Sequence, residues 1–299
     1  MMKTVLEVLN AGTAYLSGKD CEDARHSMQR LMAHVLQCDK TWLYLHHEDA
    51  VPEDKLVPLR ELMKRRGSGE PLQHLLGTTE FYRRDFITDA RALVPRPETE
   101  ELVELLLKRI SPRLGMKILD MGTGSGIIGI TLALELAAAT PDVTLADISP
   151  QALSLALENA TALGAKVRTF RSDLFSAWQQ EANEEHAPVP PPERFDLMVA
   201  NLPYIPDAEE LSAEVLHDPH TALFGGAEGT EIIERFLREA PARLAPGGIV
   251  ALEIGHDQGD AVLSMMQRLG YRHAEVLADL NGIRRFPIAG APAIPSQEP

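Results

Sequence analysis

Lys117-Ile118-Leu119-Asp120-Met121-Gly122-Thr123-Gly124-Ser125-Gly126 is the stretch whose reading decides the fold. Residues 117–120 read as a short buried strand, and the strand runs straight into a turn of alternating glycines. Glycine there lets the backbone turn tightly and approach a ligand where a Cβ would clash. A helix over 126–138 follows. Moving outward, strand 143–147 leads into helix 150–163, and strand 166–170 into a short helix. Strand 195–200, helix 229–240, strand 249–254, helix 258–269 and a final strand pair complete the set. Repeated strand-helix alternation implies a mostly parallel sheet covered on both faces, an α/β sandwich of the Rossmann type.

Upstream, the pattern is helical. Val5, Leu6, Val8 and Leu9 begin one amphipathic stretch, Ala24, Met28, Leu31 and Val35 form a second, and Leu56, Leu59, Leu62 and Met63 a third. Gly67-Ser68-Gly69 ends the third, so residues 1–70 are expected to form a small bundle, a docking or lid module without chemistry of its own. Phe81, Tyr82, Phe86 and Ile87 with interleaved Arg and Asp suggest a hairpin linker over 71–95. Pro95-Arg96-Pro97-Glu98-Thr99-Glu100-Glu101 then opens a helix, with prolines at its start and acids in its first turn. The sheet domain is expected over 96–289, interrupted by a mobile insertion at Gln179–Arg194, with a disordered tail at 290–299.

Composition narrows the function. The 299 residues, 44% hydrophobic and 24% charged, suit an ordinary globular protein of one large or two unequal domains. No apolar run is long enough to span a bilayer. The start of the chain, with Glu7 early and no apolar block, lacks signal-peptide character, so a cytoplasmic protein without membrane attachment is expected. Cys21 and Cys38 match no metal-ligand spacing and read as reduced thiols, and no metal site is expected. The formal net charge of −15 disfavours a grip on nucleic-acid phosphates, despite the local clusters Lys64-Arg65-Arg66 and Arg83-Arg84.

Two constellations carry chemistry. The glycine turn, Gly122 to Gly126, differs from the dinucleotide fingerprint because its third glycine comes one residue early. Asp147 closes the next strand about twenty residues on, where a carboxylate can accept both ribose hydroxyls of an adenosine; the competing role is a helix N-cap shared with Ser149. No Lys is placed for a phosphate, so an adenosine without phosphates fits better. The second constellation is Asn201-Leu202-Pro203-Tyr204, at the exit of strand 195–200. If strands 117–120 and 195–200 are neighbours, both constellations face one cleft at the carboxyl ends of the strands. Asn201 Oδ1 and the Leu202 carbonyl can each accept one N–H of a planar nitrogen, aiming it at a methyl donor, and Tyr204 can stack on the planar group.

With these residues the chain resembles the glutamine-specific protein methyltransferases, the family that includes the enzymes acting on peptide chain release factors. The resemblance also rests on Gly69-Glu70-Pro71-Leu72-Gln73-His74-Leu75, Glu80-Phe81, Leu93-Val94-Pro95-Arg96-Pro97-Glu98-Thr99-Glu100 and Ser172-Asp173. It continues through Asp218-Pro219-His220-Thr221-Ala222-Leu223-Phe224-Gly225-Gly226 and Glu253-Ile254-Gly255, and so covers nearly the whole chain. It implies a Rossmann-like class I S-adenosylmethionine-dependent methyltransferase sheet with a small N-terminal helical domain. It further implies S-adenosylmethionine as cofactor and the glutamine of a Gly-Gly-Gln release-factor loop as acceptor, a step in translation termination. Gly122, Thr123, Gly124, Ser125, Gly126, Asp147, Asp173 and Leu174 would hold the donor. Asn201 would lie between donor and substrate, and Asn201, Leu202, Pro203 and Tyr204 would form the glutamine pocket. Leu202 replaces a proline usual in the family, and Leu174 stands where an aromatic often stacks on adenine.

Two other readings compete. Asn-Leu-Pro-Tyr also looks like the motif of ribosomal-RNA adenine dimethyltransferases, which would require an unstacked base presented to the cleft. A donor-binding protein without catalysis is the other. The acidic charge and the N-terminal helical module with Pro95-Arg96-Pro97-Glu98-Thr99 argue against the first, and the retained Asn201 and Tyr204 against the second, so a release factor is the expected partner and no stable nucleic-acid partner is expected.

Overall fold

The computed structural model describes residues 3–178 and 194–292. Of the insertion expected at Gln179–Arg194 all but Arg194, and of the tail expected at 290–299 all but Gly290, Ala291 and Pro292, lie outside the described residues. The chain divides into two compact units. One takes the residues up to Thr79 with Thr88–Ala90 and Leu211–Asp218; the other takes Glu80–Ile87, Arg91–Glu210 and the chain from Pro219 onward.

The first unit is helical: α1 (Val5–Ser17), α2 (Ala24–Leu36), α3 (Lys40–Leu45), α4 (Glu53–Gly67) and α5 (Leu72–Leu76). A capping box starts α1. Thr4 Oγ1 accepts the Glu7 N–H at 3.2 Å and Glu7 Oε2 accepts the Thr4 N–H at 2.9 Å, satisfying two donors a helix start leaves orphaned. Helices α1 and α2 pack so closely that a Cβ on Gly12 would lie 2.2 Å from Met28 Sδ. Leu16, Met28, Leu31, Met32 and Leu59 form the centre of the core.

The cluster Lys64-Arg65-Arg66 is engaged within this unit. Arg66 is 6% exposed. Its Nε donates to Ser27 Oγ at 3.2 Å, and its Nη1 donates to the Glu70 carbonyl at 3.0 Å and lies 2.9 Å from Glu214 Oε2. Arg65 hydrogen-bonds Glu70 and holds its carboxyl below the usual range. Removing the buried guanidinium deprives the Ser27 hydroxyl, the Glu70 carbonyl and Glu214 of this shared donor. Arg66→Ala is therefore expected to destabilise the unit by about 2–3 kcal/mol, with Arg66→Lys recovering only part. A lower urea midpoint at unchanged slope is the readout.

Strand β1 (Thr78–Phe81), which enters the second unit at Glu80, and β2 (Arg84–Ile87) pair as a hairpin. Its two turn residues, Tyr82 and Arg83, have φ of 47° and 63°, the left-handed geometry a two-residue hairpin loop requires. Then follow α6 (Pro97–Arg109), β3 (Lys117–Met121), α7 (Ile127–Glu135), β4 (Asp142–Asp147), α8 (Pro150–Leu163), β5 (Val167–Arg171) and β6 (Phe195–Asn201). Next come β7 (Ile205–Pro206), α9 (His220–Leu223), β8 (Phe224–Gly226), α10 (Glu231–Glu239), β9 (Leu244–Glu253), α11 (Gly259–Arg268), β10 (Arg272–Ala278) and β11 (Arg284–Gly290).

Among the described residues seven strands form the main sheet, in the order β10-β11-β9-β6-β3-β4-β5. All neighbours are parallel except β11, which runs antiparallel to both β9 and β10. The alternation of the pleat separates two cores. Ile118, Leu197, Val199 and Ala251 meet α6, α7 and α8 on one face. Leu119, Met198, Ala200, Val250 and Leu252 meet α10 and α11 on the other. Strands β3 and β6 are direct neighbours, with Asp120 opposite Val199 and Met121 opposite Ala200. Strand order reverses between them, which opens a crevice at their carboxyl ends.

Candidate active site

A cavity of about 320 Å³ occupies that crevice. Gly122, Thr123, Gly124, Ser125, Asp147, Asp173, Leu174, Asn201, Leu202 and Pro203 all line it. Gly126 and Tyr204 do not. The backbone of the turn explains the division among the glycines. Gly122, Gly124 and Gly126 have φ of 70°, 55° and 86°, a region that penalises any Cβ. A Cβ on Gly122 would meet Leu202 Cδ2 at 3.0 Å, so the leucine packs directly over the turn. One on Gly124 would meet only Ala92 Cβ, at 3.7 Å, and otherwise enter the cavity. One on Gly126 would lie 2.6 Å from Ile130 Cδ1 and 3.1 Å from Ala156 Cβ, so that glycine serves the packing of α7 on α8.

Asp147 ends β4 and is tied to the turn: its Oδ2 accepts the Gly124 N–H and its Oδ1 the Ser149 N–H, each at 2.9 Å. Burial pushes its carboxyl up, opposed by these N–H donors. The cap of α8 is Ser149 alone, whose Oγ accepts the Ala152 N–H at 3.2 Å. Each Asp147 oxygen therefore keeps a lone pair for a ligand hydroxyl. The open cradle at Gly124, this carboxylate and the aliphatic surface of Leu174 fit an adenosine. Leu174 is held at φ 47° with its side chain in the second core. Asp173 pairs with Arg235, its Oδ1 accepting at 2.5 Å.

Asn201 is the last residue of β6 and lies opposite Glu253, the last residue of β9. Its Nδ2 donates to Thr99 Oγ1 at 3.4 Å, and Thr99 Oγ1 donates to Glu253 Oε2 at 2.7 Å. Burial raises the Glu253 carboxyl to about 7, opposed by the hydrogen bond from Thr99 and by the neighbouring Asn201 amide. Tyr204 lines a separate hollow with Gly255, His256 and Gln258, and burial pushes its hydroxyl up to about 12. The Asn201–Pro206 segment is held by backbone-close neighbours. A Cβ on Gly225 would fall 2.5 Å from the Pro203 carbonyl, and one on Gly229 would fall 2.3 Å from that of Tyr204. Gln258 clamps the same turn, its Nε2 donating to the Tyr204 carbonyl at 2.8 Å while its Oε1 accepts the Gly255 N–H at 2.9 Å.

The structure adds Asp120 and Thr99 to the residues sequence reasoning singled out, and gives Glu253, which the sequence placed either at the cleft floor or at the end of strand 249–254, its partner Thr99. Asp120 is fully buried. Its Oδ2 accepts from Thr123 Oγ1 at 2.6 Å and from the Gly129 N–H at 2.9 Å, and burial raises it to about 6. Thr123 thus braces the turn rather than facing a ligand with its hydroxyl. Asp120 and Glu253 shared one available signal: an acid inside an apolar strand is tolerated only with partners. Thr99 had no comparable signal.

Two family models match the chain: the PrmC N-terminal domain over residues 7–77 and the Methyltransferase small domain over 98–223. The chain is 35% identical over 292 residues to the release factor glutamine methyltransferase of Koribacter versatilis, covering 97% of this chain and 99% of the relative. It is 37% identical over 285 residues to that of Geobacter sulfurreducens, covering 94% and 95%. In fold it is similar to the crystal structure of a methyltransferase from Pyrococcus furiosus, with a TM-score of 0.50 at 19% identity over 71% of this chain and 91% of that one. On sequence similarity along almost its full length, the chain belongs to the release factor glutamine methyltransferase family.

Proposed function

We propose that the protein methylates, in the cytoplasm, the side-chain amide nitrogen of the glutamine in a Gly-Gly-Gln loop of a release factor. The methyl donor is S-adenosylmethionine, which when bound supplies an electrophilic methyl on sulfonium. The observation that carries the reading is the Asn201 amide, whose Nδ2 is engaged by Thr99 while the residue lines the cavity beside the glycine turn. Its Oδ1 and the Leu202 carbonyl then accept the two hydrogens of the acceptor nitrogen. An amide nitrogen attacks poorly because its lone pair is delocalised. Two acceptors aligning it and favouring the positive charge that builds on it address that weakness directly. Once the N–C bond has formed, the surplus proton passes to solvent.

A protein acceptor suits the charge distribution better than RNA does. Arg65 and Arg66 are paired with Glu70 and Glu214, and Arg84 with Glu135 at 2.6 Å. Arg91 at the cavity wall pairs with Glu158. Among the described residues no helix is long and apolar enough to cross a membrane. The test is methyl transfer from labelled donor to a purified release factor and to its Gln→Ala variant. Label on the first alone supports the reading; label on neither, with donor bound and the factor folded, would reject it.

In this reading the helical unit recognises the factor and takes no part in the chemistry. Leu6, Tyr44 and Leu45 are exposed apolar side chains on adjoining turns, where the Leu6 N–H donates to the His47 carbonyl at 3.0 Å. Leu45 is 74% exposed. Leu45→Asp is expected to raise the KM for the factor about tenfold, with the donor Kd within about twofold of wild type. Equal change in both constants, measured by steady-state kinetics and calorimetry, would remove recognition from this face.

A further inference from the structure

We propose that Glu253, acting through Thr99, is the positioning residue that turns the Asn201 amide so that its oxygen rather than its NH2 meets the acceptor. This rests on the role given to Asn201 above. The two ends of an asparagine amide have nearly the same shape, so only hydrogen bonding selects between its two orientations. Thr99 has one proton, and it goes to the Glu253 carboxylate 2.7 Å away. What Thr99 presents to Asn201 is therefore a lone pair. Glu253 stands opposite Asn201 across the β6–β9 register, and the Asn201 amide favours its ionised form; an ionised carboxylate offers lone pairs only. Both neighbours demand the NH2 group, and Oδ1 is left for the acceptor.

Protonating Glu253 removes the selection. Its new O–H can donate to Thr99, the threonine proton can swing to Asn201, and the amide is then free to reverse. Reversed, it presents NH2 to the NH2 of the substrate, donor against donor. The groups facing Glu253 are Thr99 and Asn201, with Glu98 and Arg285 acting through charge, and the Tyr204 hydroxyl, whose own ionisation Glu253 opposes. Arg285 is already bound to Asp279 at 2.7 Å, so the cation does not neutralise Glu253. Burial places the titration at about 7. The ionised form is the competent one, so kcat should rise with pH through that range and level off above it.

The experiment compares wild type with Glu253→Gln, Thr99→Val and Thr99→Ser. At pH 8, Glu253→Gln and Thr99→Val are expected to lower kcat about 10–100-fold, with donor Kd within about twofold, and Thr99→Ser to recover most of the loss. The acid limb near 7 should vanish in Glu253→Gln. Folding is not the expected point of failure: the raised carboxyl means that ionisation costs the folded state stability as pH rises from the unfolded value to about 7. Glu253→Gln should therefore melt no lower than wild type at pH 8. A second readout needs no turnover. With S-adenosylhomocysteine bound, the side-chain 15N–1H signals of Asn201, assigned by their loss in Asn201→Ala, should titrate in wild type and stay fixed in Glu253→Gln. An Asn201 amide that does not titrate, or a Glu253→Gln enzyme retaining its acid limb, overturns the positioning role. A titrating amide in an enzyme that labels no release factor would instead overturn the acceptor reading alone.

Discussion

Asn201→Ala enzyme is expected to bind S-adenosylmethionine within about threefold of wild type and to transfer methyl at least about a hundredfold more slowly. The substitution removes one of the two acceptors proposed for the substrate nitrogen. Loss of a single preorganised hydrogen-bonding group at a developing charge typically costs about 10²–10³ in rate. The fold should survive, because Thr99 keeps its bond to Glu253 and Leu202 keeps its packing over Gly122. Asn201→Gln carries the same groups on one more methylene, and a displacement of about 1 Å costs about as much as deletion where alignment matters. Single-turnover transfer to a release factor, alongside calorimetric donor titration, separates the two steps. A rate within about threefold of wild type for Asn201→Ala would take the acceptor role away from this residue.

The second large effect contrasts two glycines of one turn. Gly124→Ala is expected to weaken donor binding about a hundredfold or more while leaving a folded protein. The Cβ would meet only Ala92 Cβ, at 3.7 Å, so the folding cost is the left-handed backbone alone, about 1–2 kcal/mol. The same Cβ enters the space where the donor is proposed to lie, and the shift tilts the N–H that braces Asp147. Gly126→Ala should do the reverse. Its Cβ meets Ile130 Cδ1 at 2.6 Å and the Ala156 backbone at 3.3 Å, so α7 and α8 must separate. A loss of about 3 kcal/mol or more in unfolding free energy is expected from overpacking and backbone strain together. Denaturant melts read beside donor titrations distinguish the pair. A similar defect in both would mean that the turn acts as one rigid piece.

The two glycines also show how far the linear chain could be read. Strand β3, its glycine turn and helix α8 were legible because local chemistry decides them. Ser149 caps α8, Pro150 starts it and Gly164 ends it at φ 70°. The adjacency of β3 and β6 could be stated only as a condition, and their register now fulfils it. Helix α5 was missed because five residues are too few to show a period. Strand β9 begins at Leu244 rather than 249: Ala245-Pro246-Gly247-Gly248 reads as a turn, yet Leu244 still pairs with Phe195 across a bulge. The relay behind Asn201 was not legible at all. Thr99 and Glu253 stand 154 positions apart, and nothing in either neighbourhood names the other.

Leu211–Asp218 belongs to the helical unit although it is encoded far downstream of α5. The ribosome therefore makes the bundle's five helices first and its last contributing segment much later, a delay on the order of ten seconds at ordinary elongation rates. During that interval the Arg66 guanidinium lacks Glu214, and His74 lacks the buried Asp218 that comes to lie 3.8 Å away. The nascent bundle is thus left incomplete, its buried cation half-served, until residue 218 has emerged. Vectorial synthesis makes the amino-terminal unit finish late, so a chain cut short before Leu211 carries a defect in helices that its own sequence encodes in full.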